Sequence, residues 1–282
     1  MAVVLVTGCS SGLGRAVALR LARRGERVYA TMRHAERGKD LHDEAAAEGL
    51  DLEVLELDVT SDESVADAVA RVLERDGTVD VVVNNAGIAH LGSVELLPDA
   101  LMRETFETNV FGPLRLVRAV LPIMRARGSG TVVNVSSCAG RVGGLPIHGS
   151  YMASKHALSV LSDSLAGEVK PLGIRVVCIE PGFFRTPIFT KSTVPTDADS
   201  PYRTLDEAVV QFMFDGVDGG ADTDAVAAAV LDAIDHDDGR IHYLVGDDAE
   251  AFVAQDRAST DAELQAFYAE VLGVGSAIPT GA

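Results

Sequence analysis

The chain has 282 residues, 47% hydrophobic and 23% charged, with 42 acidic residues against 24 Lys and Arg for a formal net charge of −18. That size and apolar content suffice for a packed core and exclude a disordered chain, and the negative sign speaks against a nucleic-acid or anionic-membrane surface, which needs basic patches. No apolar run approaches the ~20 residues of a membrane span. The opening run Met1 to Gly8 lacks the basic segment and cleavage site of a signal peptide. Cys9, Cys138 and Cys178 are odd in number and lack metal-ligand spacing, so they read as packed thiols in a reducing compartment. The expectation is a cytoplasmic protein without a metal.

Short β-branched runs alternate with longer helical patterns. Strands are predicted at Val3–Thr7, Arg27–Thr31, Leu52–Asp58, Val79–Asn84, Thr131–Ser137 and Ile174–Glu180. Each run is nearly continuously apolar, as in a parallel sheet buried on both faces. Helices are predicted at Leu13–Arg24, Asp62–Arg75, Asp99–Arg127 and Tyr151–Leu172, with Gly25, Gly77, Gly128 and Gly173 as helix stops. The alternation predicts an α/β fold, a doubly wound parallel sheet of about seven strands with helices on both faces. The pattern loosens after Pro181-Gly182. Helices near Leu205–Phe214 and Asp224–His236, a last strand Arg240–Val245, a helical tail and a frayed end at Gly275–Ala282 follow. No repeat or linker divides the chain, so residues 1–282 read as one domain, with a dinucleotide-binding region over residues 1–182 and a substrate region over residues 183–282. Residues 215–263 hold 14 acidic residues against two arginines, and this stretch reads as a solvated, solubilising face.

The first strand runs into Thr7-Gly8-Cys9-Ser10-Ser11-Gly12-Leu13-Gly14 and a helix opens at once. Glycines suit a backbone that must turn tightly, approach a pyrophosphate and pack helix on strand. The helix N-terminus offers free N–H groups to phosphate. A glycine triplet alone is weak evidence; its place in the first βαβ unit gives it weight.

This Gly-x-x-x-Gly-x-Gly spacing resembles the short-chain dehydrogenase/reductase family. Asn84-Asn85-Ala86-Gly87, Thr108-Asn109-Val110, Val133-Asn134-Val135-Ser136-Ser137, Tyr151-x-x-x-Lys155 and Pro181-Gly182-x-x-x-Thr186 follow in family order. The resemblance implies a nicotinamide-dependent oxidoreductase on a Rossmann-type fold. It implies cofactor contacts from Gly8, Ser10, Ser11, Gly12, Leu13, Gly14, Asp58, Val59, Asn85, Ala86, Gly87, Tyr151, Lys155, Pro181, Gly182, Phe184 and Thr186. At the end of the second strand an acid would accept from a ribose 2′-OH and repel a 2′-phosphate. Met32-Arg33 stands there instead, and an Arg can clamp a phosphate, with Ser11 as a second donor. NADP(H) is therefore expected over NAD(H).

Tyr151 and Lys155 are four apart and share a helix face. A phenol titrates near ~10, and a neighbouring ammonium favours the phenolate. By resemblance Tyr151 is the acid or base, Lys155 lowers its pKa and binds the nicotinamide ribose, Ser137 hydrogen-bonds the substrate oxygen, and Asn109 holds a water in a proton relay behind Lys155. The chain departs from the family in one place. The catalytic Ser commonly precedes the Tyr by 13 residues; here Ser137 precedes it by 14 and Cys138 holds the 13 position. Because Ser-Ser-x-x-Gly is intact, the extra residue is placed in the loop Gly140–Pro146, Ser137 is kept as the catalytic hydroxyl, and Ser136 is read as structural.

The substrate pocket is expected to include Ile88, Val142, Ile147, His148, Phe183, Phe189 and Phe212, with Leu145, Tyr202, Met213 and Phe214 as further candidates. An apolar lining implies a bulky apolar ketone or secondary alcohol. His90 and His148 are the polar exceptions, and surface loops are the more common place for such histidines. Gly8-Cys9-Ser10-Ser11-Gly12 and the run Val28–Arg33 resemble the 17β-hydroxysteroid and retinol dehydrogenase branch, and bacterial ketoreductases are similar. The family also implies a homodimer or homotetramer through residues 99–127 and 151–172. Two other readings compete: a catalytically silent nucleotide sensor, which typically lacks the Tyr or Lys, and a nucleotide-sugar epimerase or dehydratase, which favours another glycine spacing.

Overall fold

A computed structural model describes residues 1–191 and 199–275; the expected frayed end lies outside them from residue 276 onward. Seven parallel strands, β1 (Val3–Val6), β2 (Arg27–Met32), β3 (Leu52–Glu56), β4 (Val81–Asn84), β5 (Gly130–Val135), β6 (Ile174–Pro181) and β7 (His242–Val245), lie in the order β3-β2-β1-β4-β5-β6-β7. The order reverses between β1 and β4, which pair Val4 with Val81 and Val6 with Val83. A doubly wound sheet opens its binding crevice at that switch point, beyond the carboxyl ends of the strands.

The continuous apolar runs are explained by two cores, one on each face. On one face Val4, Val6, Val28 and Ala30 pack against helices α1 (Gly12–Arg23) and α2 (Lys39–Ala47). On the other, Val3, Leu5 and Tyr29 pack against α3 (Asp62–Asp76). Gly25, Gly77, Gly128 and Gly173 have φ of +93°, +71°, +68° and +75°, which suits their expected role as helix stops. Helix α2 was not anticipated; its short polar-rich pattern buries only Leu41 and Ala45.

The long helix expected over 99–127 is present, with a π-helical turn inside it. Helix α4 (Asp99–Phe106) passes through a π-helical turn, Glu107–Phe111, into α5 (Gly112–Arg127), and Asn109 sits in that turn. Such bulges accumulate at functional sites because they re-aim a side chain without ending the helix. Helix α6 (Gly149–Val169) carries Tyr151 and Lys155.

The chain after β6 adds α7 (Arg203–Asp218), α8 (Asp224–Asp235), α9 (Asp247–Ala258) and α10 (Asp261–Val271). Helix α8 joins the first core through Val226, Ala227 and Val230. Residues from α7, α9 and α10 build a third apolar cluster around Val209, Met213, Val253 and Tyr268, which also takes in Tyr151 and Phe189. The acid-rich stretch is therefore not only a solvated face. Asp248 accepts the Phe183 N–H (2.6 Å) and Asp256 the Gly143 N–H (2.6 Å), so both hold loops in place. No described helix is long and apolar enough to cross a membrane.

Candidate active site

The glycine loop is built around close backbone approach. Gly8 has φ +74°, and a Cβ there would come within 2.8 Å of Ala86 Cα. A Cβ on Gly14 would overlap Asn85 Nδ2 and the Gly8 carbonyl oxygen. Thr7 Oγ1 accepts from the N–H groups of Asn85 and Ala86 (both 3.0 Å), while Asn85 Nδ2 donates to the Thr7 carbonyl (2.8 Å). The Asn85 amide thus fastens the end of β4 to the loop after β1, across the switch point.

A polar cleft opens above this junction. It is lined by Gly8, Ser10, Ser11, Gly12, Leu13, Arg33, Asp58, Val59, Asn85, Ala86, Gly87, Tyr151, Lys155 and Thr186, all expected cofactor positions. Ser11 is the N-cap of α1 and its hydroxyl makes no capping bond. Arg33 is exposed at the end of β2, and Met32 beside it also lines the cleft. A glycine cradle at a helix N-terminus with a cation at the end of β2 fits a phosphate-bearing dinucleotide. Asp58 Oδ1 accepts from the Thr60 N–H (2.9 Å) and hydroxyl (2.8 Å), so one of its carboxylate oxygens is already committed.

Tyr151 lies where this cleft meets a second, apolar cavity, and it lines both. Ser137 lies on the turn after β5, and its hydroxyl draws the Tyr151 phenol down, against the larger upward push of burial. Its Oγ also accepts the Ala139 N–H (3.1 Å) and lies 3.3 Å from the Pro181 carbonyl as donor. Lys155 Nζ donates to the Val135 carbonyl (2.9 Å) and stands 5.6 Å from the Tyr151 ring centroid. Both are buried, and burial penalises each charged form. It pushes the Tyr151 phenol up and pulls the Lys155 ammonium down to about 8. At Tyr151 burial outweighs the downward pull of the Ser137 hydroxyl and holds the phenol in its proton-donating form.

Both Nδ2 hydrogens and one lone pair of the Asn109 amide are engaged. Its Oδ1 accepts the Ile88 N–H (2.9 Å), and its Nδ2 donates to the Ile88 carbonyl (2.9 Å) and to Ser154 Oγ (3.0 Å). Its side chain positions the turn after β4. Ser136 bonds the Lys155 carbonyl (3.2 Å) and Ser159 Oγ (3.0 Å), which matches the structural reading. Cys138 heads the next turn and faces the apolar cavity, its thiol pushed up to about 12, mainly by burial. The Ser137 hydroxyl draws the Tyr151 phenol down, whereas the Cys138 thiol pushes it up.

Val142, His148, Phe183, Phe189 and Phe212 line the apolar cavity, as do Leu145 and Met213. Several expectations are corrected. Ile88 lies on the polar cleft, because Asn109 grips its backbone there. Ile147 is packed in the third cluster rather than on the wall. Pro181, Gly182 and Phe184 line the apolar cavity where it adjoins the cleft, beside Thr186, which lines both. The Gly182 and Phe183 N–H groups are tied to Val245 and Asp248, which draws that turn toward the sheet edge. Tyr202 packs behind the wall and donates to Glu95 (2.5 Å), and Phe214 is exposed on α7. His90 and His148 are both buried, contrary to the surface expectation.

Phe252 and Tyr268 complete the cavity and were not foreseen. Phe183, Phe212 and Phe252 form an edge-to-face trio, and the Tyr268 hydroxyl donates to the Gly143 carbonyl (2.9 Å). Nothing local in the sequence marks these residues, since their helices come from the far end of the chain. The same holds for a buried network beneath β6 and β7. There Glu180 Oε1 accepts from Ser159 (3.1 Å) and pairs with His242 Nδ1 (2.9 Å), whose Nε2 faces Asp163 (2.7 Å). Hydrogen bonds to Cys178 and Glu180 raise His242 to about 10.

The family profile described as short chain dehydrogenase matches residues 2–196. A short-chain dehydrogenase from Streptomyces avermitilis is 40% identical and superposes with a TM-score of 0.82, covering 98% of each chain. A short chain dehydrogenase/reductase from Burkholderia phymatum, solved in complex with NAD, is 27% identical with a TM-score of 0.82, covering 94% of this chain and 95% of that one. The 17-beta-hydroxysteroid dehydrogenase type 1 of Homo sapiens is 42% identical over 195 residues, 67% of this chain and 58% of its own length. Sheet order, glycine cradle and the Ser–Tyr–Lys cluster agree with these likenesses, and the chain belongs to the short-chain dehydrogenase/reductase family of oxidoreductases.

Proposed function

We propose that this protein is an NADP(H)-dependent oxidoreductase interconverting a bulky, apolar ketone and its secondary alcohol. The observation that carries this reading is the position of Tyr151 at the junction of a polar cleft and an apolar cavity. When bound, the nicotinamide supplies or takes up the hydride. The Tyr151 hydroxyl delivers a proton to the carbonyl oxygen on reduction, a role suited to a phenol that burial keeps protonated. Ser137 Oγ–H donates to the same oxygen as charge develops on it. The Lys155 ammonium stabilises the phenolate left behind and holds the ribose, while Asn109 positions the Ile88 turn beside it. Ser11 and Arg33 receive the 2′-phosphate; Arg33 makes no ion pair among the described residues.

The likeness to a 17-beta-hydroxysteroid dehydrogenase favours a steroid-sized ring system among the apolar ketones. Phe111, just before α5, and Val160, midway along α6, are 48% and 62% exposed, apolar surface that supports a homodimer or homotetramer through these helices. Three free thiols favour a reducing compartment, the cytoplasm. The test is nicotinamide absorbance with NADPH or NADH against apolar ketones and steroids, with Tyr151→Phe as control. NADPH oxidation that the substitution abolishes is the expected result. Faster turnover of small polar ketones, or of NADH, would overturn the reading.

A further inference from the structure

The Ser–Tyr loop, one residue longer than the family's usual spacing, carries the pair Gly143-Gly144. Adjacent glycines lose much conformational freedom when ordered, so such a stretch needs partners to hold one shape. Gly143 is held from both sides. Its N–H donates to Asp256 Oδ1 on α9 (2.6 Å), and its carbonyl accepts from the Tyr268 hydroxyl on α10 (2.9 Å). Space is as restricted as bonding. A Cβ on Gly143 would come within 2.7 Å of Leu264 Cδ2 and 3.2 Å of Asp256 Oδ1, whereas a Cβ on Gly144 would meet no atom within 4 Å. Three side chains from the last two helices thus converge on one glycine of the loop and latch it.

The latch borders the apolar cavity. Val142 and Leu145, on either side of the glycine pair, line that cavity, and so does Tyr268. Tyr268 therefore acts on the cavity twice, directly with its ring and through its hydroxyl by way of the loop. The catalytic groups are fixed by other means. Ser137 Oγ is held by the Ala139 N–H and the Pro181 carbonyl, and Lys155 Nζ by the Val135 carbonyl. The position of the wall and the position of the reacting groups are thus set separately.

We propose that the Gly143 latch sets the size limit of the substrate pocket, with Tyr268 as the specificity-determining residue. With the latch closed, Val142 and Leu145 stand at a fixed depth, and the pocket takes apolar ketones whose ring system fits beneath them. Broader ring systems are turned away, because a packed apolar wall yields to an oversized group only at a cost. Loosening the latch widens the range of ring systems accepted and weakens the grip on small ones, while hydride and proton transfer at the carbonyl proceed as before. The proposal rests on the ketone-reductase reading above.

The test uses methyl ketones on one to four fused rings: acetophenone, 2-acetylnaphthalene, 2-acetylphenanthrene and 1-acetylpyrene. The reacting group is constant, so the informative quantity is each kcat/KM relative to acetophenone. In wild type this ratio should drop about tenfold or more at the first ketone too broad for the latched pocket. Tyr268→Phe keeps the ring and removes the hydroxyl. Gly143→Ala keeps the hydroxyl and presses on Leu264. Both are expected to raise that ratio about tenfold and to raise KM for acetophenone more than they lower kcat. NADPH affinity should change less than about twofold. Gly144→Ala, with open space around its Cβ, should leave the ratio within about twofold of wild type. Should Gly143→Ala fail to fold, Asp256→Ala takes its place. A wild type with no drop across the series, unchanged ratios in Tyr268→Phe, or an equal rise in Gly144→Ala would overturn the proposal. Absence of any ketone turnover in wild type would sink the reductase reading instead. Calorimetric affinities of the same four ketones for wild type and Tyr268→Phe would then decide the latch by the same ratios.

Discussion

Two cavities meet at Tyr151, and they are built by opposite means. The polar cleft is made of backbone: glycines at Gly8 and Gly14 that leave no room for a Cβ, and amide bonds among Thr7, Asn85 and Ala86. The apolar cavity is made of side chains from the Ser–Tyr loop, the turn after β6 and helices α7, α9 and α10. Backbone geometry admits few sequences, so the cleft is written in short motifs. An apolar wall admits many, so the cavity is free to vary and can set the substrate.

The contrast can be broken first at its junction. Tyr151→Phe should lower kcat by about 10³-fold or more, with NADPH affinity measured by fluorescence titration changed less than about twofold. Both cavities would then survive while the chemistry between them is lost. Ser137→Ala should lower kcat by roughly 10²-fold and Cys138→Ala by less than about tenfold. The reverse order in steady-state kinetics would shift the catalytic hydroxyl's register by one residue.

On the cleft side, Arg33→Asp should shift the NADPH-to-NADH ratio of kcat/KM by about 30-fold toward NADH, since a charge-assisted phosphate contact is replaced by repulsion. On the cavity side, Asp256→Ala removes the acceptor for the Gly143 N–H. It should cost about 1 kcal/mol in denaturant unfolding. It should also raise KM for apolar ketones more than it lowers kcat.

A last comparison separates the half-buried His242 from the buried His148 by pH. His242 is raised from 6.5 to about 10, so its stabilising contribution is full below about pH 6.5 and fades as pH rises toward 10. His148 is lowered to about 3 by burial, so it favours the folded state above about pH 6.5, and stability falls as pH drops from there toward 3. Melting temperature against pH should therefore lose its alkaline slope in His242→Gln and its acid slope in His148→Phe. Parallel curves for all three proteins would refute both assignments.

How far each region was legible follows from its range of interaction. The strands, the helix stops at Gly77 and Gly128 and the glycine loop depend on neighbours within a few residues, and each lies close to its expected place. The helix over 99–127 has its expected bounds, and only the π turn inside it went unread; in the structure that turn carries the Asn109 amide to Ile88. Ile88 and Ile147 were assigned to the pocket by their places in the loop after β4 and the Ser–Tyr loop, and a place in a loop does not tell a wall from the core behind it.

By itself the sequence determined the sheet class, the cradle and the shared face of Tyr151 and Lys155, because steric limits on glycine and a helix repeat of about 3.6 residues are local constraints, while Ser137 joined that pair only through the family resemblance. Only the tertiary structure decided that Phe252 and Tyr268 close the cavity, that Asp248 and Asp256 hold its loops, that Glu180 and His242 pair beneath the sheet edge, and that His148 faces inward. These depend on contacts between segments as many as 125 residues apart, as from Tyr268 to Gly143. Burial then acts on whichever groups such contacts bring together, holding Tyr151 protonated and His148 neutral in the same apolar wall.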